Sequence, residues 1–247
     1  HWDLVNGKII SKTEITHNGR IKDFIILPNQ QILISAAEDN SIHVYDLETL
    51  KLIQSLNYDI SFEKLLTLND STKILAFSDK GNVRVFQVEP KALNFVHNAI
   101  LDYGGIYDGA LLNKTDQVLF VSNNYTLHYY NPISNLLEDS ISLPPHYYWS
   151  VQSSFDGKKS FLSTSDGYLI TIDNYTKKIT SKVKYHNGAL VRMVASKNGN
   201  LLATASEDYQ SKLIDISKGT VIKEYRNHAS WIESVALSKI GGLMSVT

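Results

Sequence analysis

The sequence predicts an all-β chain built of short four-stranded antiparallel sheets, and three observations carry that reading. Residues 17–46, HNGRIKDFIILPNQQILISAAEDNSIHVYD, hold three short apolar runs parted by turn signals. One place in this unit recurs along the whole chain at a near-constant spacing. No stretch shows the apolar period of an amphipathic helix.

The unit 17–57 is the clearest. Residues 21–28 are apolar and β-branched and stop at Pro28-Asn29; residues 31–37 form a second run; Asp39-Asn40 makes a tight turn. Residues 42–46 alternate apolar and polar, as a half-buried strand does, and 52–56 supply a fourth strand. One such sheet has two faces and cannot bury both alone, so it needs neighbours. Tyr45-Asp46 closes the third strand, and the same place is held by Trp2-Asp3, Phe86-Gln87, Tyr130-Asn131, Ile172-Asp173 and Ile214-Asp215, in steps of 43, 41, 44, 42 and 42 residues. A His precedes the first strand at His17, His146, His186 and His228.

The chain opens with the end of a third strand (1–4) and an outer fourth strand (8–15). Strands follow at 60–68, 73–77, 82–88 and 93–100, then at 107–112, 117–122, 126–130 and 136–143. Pro144-Pro145 breaks the chain in a loop, where missing N–H groups cost nothing. Two further units place strands at 148–154, 160–165, 168–173 and 178–185, and at 190–196, 201–206, 211–215 and 221–225. The last runs are 231–237 and 243–247. A period of about 40–45 residues with four strands per unit describes β-propeller blades. On these residues the chain resembles the WD40-repeat family over its whole length: Trp2-Asp3 is the literal dipeptide, and the other units carry softened versions. The expected architecture is one propeller domain over residues 1–247, with five complete blades and a half-blade at each end. It would be six-bladed if the end pairs join, or seven-bladed in a longer parent chain of which this is an excerpt.

Composition allows this. All-β domains commonly reach 247 residues undivided, and 43% of the residues are apolar. Lys and Arg (24) nearly cancel Asp and Glu (25), so no net field argues for nucleic acid or an acidic membrane. No apolar run approaches a membrane span, and no signal peptide is visible. Zero cysteines exclude a disulfide framework and a thiolate zinc site, without fixing the compartment. Sequons at Asn69, Asn113, Asn124 and Asn174 read as chance in an Asn- and Ser-rich chain.

The resemblance implies a hydrogen-bonded set that locks each blade: a His before the first strand, a Ser or Thr in the second, an Asp in the turn before the third, and the aromatic of the third. Carried over, the set is His17, Ser35, Asp39 and Tyr45 in one unit, and His186, Thr204 and Asp208 with Ile214 for the aromatic in another. Asp166 fits the turn of the unit between, whereas Lys80 and Asn124 break the sets of theirs. A buried Asp is tolerable only when hydrogen-bonded, and His can bridge it to a hydroxyl. Asp, His and Ser also spell a catalytic triad. Recurrence once per repeat suits a scaffold and not a single active site.

Other chemistry motifs fail. Gly157-Lys158-Lys159-Ser160 lacks the upstream glycine of a phosphate loop, since Gln152 stands there. His43 and His128 occupy equivalent third-strand places, so repeat identity explains them better than metal binding. The candidate partner-binding residues lie in the loops entering each first strand. The place three residues after the His holds Arg20, Phe62, Ile106, Trp149, Ala189 and Trp231, and two residues on stand Lys22, Lys64, Asp108, Val151, Val191 and Glu233. Tyr107, Tyr147 and Arg192 adjoin them. Aromatic and apolar side chains beside charges have the composition of an interface core; packing of Trp149 and Trp231 under their loops is the alternative. Resemblance to the family implies a non-catalytic scaffold for protein–protein interaction in the cytoplasm or nucleus. Proteins or peptides are the expected partners, with no cofactor, no metal, no direct nucleic-acid contact and no membrane insertion; oligomeric state stays open. The competing readings are a peptide-recognising substrate receptor of ubiquitin-ligase type, an RNA-associated assembly factor, and a propeller enzyme.

Overall fold

Short β-branched and aromatic runs punctuated every few residues by turn formers make strands, and the computed structural model shows them as antiparallel meanders. It describes residues 2–3, 6–13, 16–68, 71–100, 104–112, 115–196, 199–226, 228–237 and 243–246. The sequons at Asn69 and Asn113, and the outer ends of the strands expected at 1–4, 8–15 and 243–247, lie outside these residues.

A two-stranded pair, β1 (Trp2–Asp3) and β2 (Lys8–Ile9), comes first. Sheet I follows: β3 (Ile21–Leu27), β4 (Ile32–Ala37), β5 (Ser41–Asp46) and β6 (Leu52–Asn57). Sheet II is β7 (Phe62–Thr67), β8 (Lys73–Ser78), β9 (Asn82–Glu89) and β10 (Ala92–Ile100). Sheet III is β11 (Ile106–Leu111), β12 (Val118–Ser122), β13 (Thr126–Asn131) and β14 (Leu136–Ser142). Sheet IV is β15 (Tyr148–Ser153), β16 (Lys159–Thr164), β17 (Tyr168–Asp173) and β18 (Lys178–Lys184). Sheet V is β19 (Leu190–Ala195), β20 (Leu201–Ser206), β21 (Ser211–Asp215) and β22 (Thr220–Tyr225). A last pair is β23 (Ser234–Leu237) with β24 (Leu243–Val246). In sheets I to V the strands pair in chain order, which is the blade of a β-propeller fold. Pro28-Asn29, expected as a plain turn, is one turn of 3-10 helix, Pro28–Gln30.

The turns explain the period. In sheets I to V the residue after Asp39, Lys80, Asn124, Asp166 and Asp208 is left-handed: Asn40, Gly81, Tyr125, Gly167 and Tyr209. On the opposite edge the last residue of the third strand caps its own turn. Asp46 Oδ1 accepts the N–H groups of Glu48 and Thr49, Asn131 those of Ile133 and Ser134, Asp173 those of Tyr175 and Thr176, and Asp215 those of Ser217 and Lys218. Four residues after these caps the chain turns left-handed at Leu50, Asn135, Lys177 and Gly219. Two turns with fixed backbone demands per unit hold the strand lengths, and so the period, nearly constant.

Two compact units divide the chain, His1–Ile106 and Tyr107–Thr247. In the first, sheets I and II bury one apolar layer that includes Ile34, Ile42, Val44, Phe62, Leu65, Ile74 and Phe86. In the second, sheets III and IV share Leu119, Leu127, Tyr129, Val151, Leu162 and Ile170, and sheets IV and V share Phe161, Leu169, Leu190, Met193, Leu202 and Ile214. At about 25 cal/mol per Å² of apolar surface removed from water, these layers are what make single sheets stable against each other.

Candidate functional site

Every described first-to-second strand pairing with a register shift carries it at the same place. Ile21 pairs with Ala37 but Asp23 with Ala36, which leaves Lys22 as an extra residue; the same holds for Glu63 in sheet II and Val191 in sheet V. In sheet IV two residues, Trp149 and Ser150, stand between the pairs Tyr148–Thr164 and Val151–Leu162. A bulge frees its extra residue from the ladder and re-aims that side chain. The loop-side end of the first strand therefore presents a bulge in sheets I, II, IV and V.

The bulge also shifts the register of the sequence alignment. The third residues of the first strands are Asp23, Lys64, Asp108, Ser150 and Arg192. They form latches between adjacent sheets. In the first unit Asp23 Oδ2 accepts the Leu65 N–H at 2.9 Å and lies 3.0 Å from Lys64 Nζ. In the second unit Asp108 Oδ2 accepts the Ser150 hydroxyl at 2.7 Å and the Val151 N–H at 3.0 Å, while Arg192 Nη1 stands 3.7 Å from Asp108 Oδ1.

Two of the expected partner-binding residues are corrected by this register. Phe62 and Ile106 are the first residues of β7 and β11 and are fully buried. Phe62 packs edge-on against Tyr58 and belongs to the core of the first unit. The other expected residues reach the surface to different degrees. Arg20 and Glu233 are exposed, Tyr147 is 62% and Trp231 53% exposed, and Tyr107, Trp149 and Arg192 are half-buried. The Tyr107 and Trp149 rings lie 5.5 Å apart at a tilt, and the Trp149 indole N–H is buried without a hydrogen-bond acceptor. The two units differ here. In the first, Lys22 is tied to Glu38 at 2.9 Å and Glu63 at 3.4 Å. In the second the bulge holds Trp149 in sheet IV and Val191 in sheet V.

The locking groups surround this edge. His17 Nδ1 lies 3.1 Å from both Asp39 oxygens, and its Nε2 2.7 Å from the Ser35 hydroxyl. Asp39 also accepts the N–H groups of Asn18 at 2.8 Å and Ser41 at 3.1 Å, and the Ser41 hydroxyl at 2.7 Å. Burial works to raise the Asp39 carboxyl, but these donors outweigh it and hold it at about 2. Tyr45 meets the set through His43, whose Nδ1 is 3.0 Å from the Tyr45 hydroxyl and whose ring stacks on His17 at 3.9 Å. Burial, then the neighbouring His17, pushes His43 below the ordinary histidine range. In sheet V His186 Nδ1 lies 3.0 Å from Asp208 and its Nε2 2.9 Å from the Thr204 hydroxyl; burial lowers His186. In sheet IV His146 Nδ1 is 3.5 Å from Asp166, which accepts the Thr164 hydroxyl at 2.6 Å.

Sequence reasoning missed three parts of this set. Ser41 is one. The second is the repeated His-Asn-Gly of residues 17–19 and 186–188. Asn18 and Asn187 donate their N–H groups to Asp39 and Asp208, and a Cβ on Gly19 or Gly188 would stand 2.8 or 2.9 Å from the backbone nitrogen of that Asp. The exact recurrence of the tripeptide was the available signal. The third is what replaces the set in sheets II and III. Tyr58 stands in the place of His17, and the Arg84 guanidinium in that of His43 lies over its ring at 4.2 Å. His128 bonds the Ser122 hydroxyl at 2.8 Å and stacks on Phe120, and burial lowers it to about 4. Each alternative is a packing or hydrogen-bonding arrangement inside its own sheet or loop. Among the described residues no cluster of three His, Cys, Asp or Glu side chains could hold a metal ion, and no helix is long and apolar enough to cross a membrane.

The comparisons agree with this geometry. The family profile WD40 (WD domain, G-beta repeat) matches residues 10–46. Over 92% of this chain the sequence is 23% identical to the Striatin homolog of Dictyostelium discoideum, of which it spans 33%. Over 30% of the chain it is 36% identical to eukaryotic translation initiation factor 3 subunit I of Bombyx mori, covering 22% of that protein. Over 83% of the chain it is 23% identical to autophagy-related protein 18 of Saccharomyces cerevisiae, covering 39% of it. The chain thus spans well under half the length of each of these relatives. The profile match over residues 10–46, the period and the four-stranded blades together support a protein of the WD40-repeat kind.

Proposed function

We propose that this chain is a non-catalytic protein-interaction scaffold, with residues 1–247 acting as one propeller domain that holds partner proteins on the loop edge of its first strands. The observation that carries the reading is the aromatic exposure of the second unit on that edge: Tyr147 is 62% and Trp231 53% exposed, and Trp149, in the sheet IV bulge, has the Tyr107 ring 5.5 Å away. Exposed tyrosine and tryptophan in the short loops that enter the first strands can bury much area with few rotatable bonds, which is how hot spots work. Arg192, held by Asp108, adds a cation to the edge. The match to the WD40 profile supports an interaction role, and one relative is by name a subunit of a larger factor. A place inside the cell fits the sequon Asn174, which is buried and hydrogen-bonded through its side chain to Gly157, Tyr129 and Ser160.

The test is affinity capture from the native source with the intact chain and with a Tyr147→Ala, Trp231→Ala double variant. Both side chains are exposed, so the variant should keep its melting temperature within a few degrees. Loss of most captured partners at unchanged stability is the expected result. Unchanged capture would move the interface to another face.

A further inference from the structure

We propose that the cleft between sheets IV and V is a second protein-docking site, which takes an aromatic side chain flanked by acidic residues from an extended segment of a partner. The cleft has a volume of about 300 Å³, at the lower bound of ligand pockets and enough for one large side chain. Its floor is the buried Phe161, Leu202 and Ile214. Val183 of β18 and Ile216 form the walls. One end is closed by the Tyr185 hydroxyl, which donates to the Gly219 carbonyl at 2.7 Å.

The chain itself shows what belongs there. Leu119 pairs with Tyr129 in sheet III as Phe161 pairs with Thr171 in sheet IV, so Tyr129 and Thr171 are equivalent. Toward sheet IV, the Tyr129 ring is fully buried, its hydroxyl donates to Asn174 Oδ1 at 3.0 Å, and Lys177 Nζ stands 3.1 Å above it. Toward sheet V, Thr171 has no ring, and the space stays open. In sheet I the equivalent place is Val44, and Gln54 closes that gap by bonding both the N–H and the carbonyl of Leu93 in sheet II. The cleft between sheets IV and V lacks both devices: it is an aromatic-sized vacancy with an apolar floor.

Charge selects the flanks. Lys159 and Lys218 line the cleft, both exposed, with Lys218 Nζ 3.8 Å from Asp215 Oδ2, whereas Lys182 and Lys184 of β18 alternate to the opposite face and lie over the Tyr168 ring. The nearby Asp173 and Asp215 are each engaged by donors of their own turns. Gly219 stands in sheet V where Lys177 stands in sheet IV, so the cation beside an inserted ring would come from the neighbouring Lys218 or from Lys159. The site is independent of the loop edge proposed above.

The probe is the blocked peptide acetyl-Glu-Asp-Tyr-Glu-Asp-amide added to the full chain, read by methyl NMR shifts of Val183, Ile214 and Ile216. Saturable shifts with a Kd on the order of 1 mM or tighter are expected for one anchored side chain. Replacing its Tyr by Ala, or its acids by Lys, should each weaken binding at least about tenfold. Thr171→Tyr should fill the cleft from within and abolish the shifts. Lys159→Glu with Lys218→Glu, both at the surface, should weaken binding at least about fivefold, whatever the fate of the filled variant. The Tyr147→Ala, Trp231→Ala variant should bind the peptide normally. Absent shifts at the three methyls, or equal binding of the Lys-flanked peptide, would overturn the proposal. So would binding of dodecanoate tighter than that of the peptide, which would make the cleft a site for an acyl chain.

Discussion

Asp39→Ala tests the central claim about what holds a blade together. Asp39 accepts from two backbone N–H groups, one hydroxyl and His17, at 2.7–3.1 Å, with its side chain only 16% exposed. Alanine strands the Asn18 and Ser41 N–H groups and the His17 ring N–H. At about 1 kcal/mol for each of three donors, the loss is ~3 kcal/mol. The carboxyl gives a second route to the same quantity. It is held at about 2 against an ordinary value of 3.8, a depression that corresponds to ~2.4 kcal/mol. The two figures count the same bonds and are not to be added. The sign follows from linkage. The folded pKa is depressed, so this stabilisation is fully present above pH 3.8 and is lost as pH falls through about 2. By pH 3 roughly 1 kcal/mol of it is gone. Urea unfolding of both proteins at pH 7 and pH 3 should therefore give a difference of ~3 kcal/mol that shrinks to ~2 kcal/mol. A difference under about 1 kcal/mol at pH 7, or one that grows on acidification, would refute the reasoning.

Two further perturbations follow from the same geometry. His128 is held neutral by burial at about 4; its depressed folded pKa contributes stability above pH 6.5 that is lost as pH falls toward 4, up to ~3 kcal/mol. His128→Gln keeps a donor near Ser122 without titrating, so its stability should fall less between pH 6.5 and pH 4 than that of the parent in parallel thermal melts. Asp108→Ala removes the buried acceptor of Ser150 and Val151 and the counter-charge of Arg192, and should cost about 3–5 kcal/mol by chemical denaturation. Asp108→Ala, Arg192→Met should recover part of that loss, because no unpaired charge is then left at the latch.

The blades were legible because their turns are strict. Left-handed turn positions, several of them Asn or Gly, and an Asp or Asn that caps the outer turn recur at fixed offsets, so the period survives even where Trp-Asp has become Ile-Asp. The locking set of His17, Ser35 and Asp39 could be placed from the family pattern for the same reason, since each member sits at a turn or one strand away from it. The partner-facing residues were harder to place. The bulge adds one residue in sheets I, II and V, and its counterpart in sheet IV leaves two residues opposite one, so an alignment by spacing slips between Lys22 and Asp23 or between Ser150 and Val151. In a strand a slip of one residue exchanges surface for core, which is why Phe62 and Ile106 looked like interface and are packed inside.

A repeat protein spells its scaffold in what recurs, and its individuality in what departs from the repeat. Replacement of His17 and His43 by Tyr58 and Arg84 is a departure that closes on itself, because the guanidinium covers the ring. Replacement of Tyr129 by Thr171 is a departure that does not: the ring is gone, Gly219 stands where Lys177 does, the apolar floor remains, and among the described residues no side chain takes the space. Single-sequence reading passes over such a place, since threonine and tyrosine are equally good strand residues. Only the pairing register shows that one fills a cleft between blades and the other leaves it open. In a chain whose blades are otherwise matched unit by unit, that unfilled position is where a partner can supply the missing side chain.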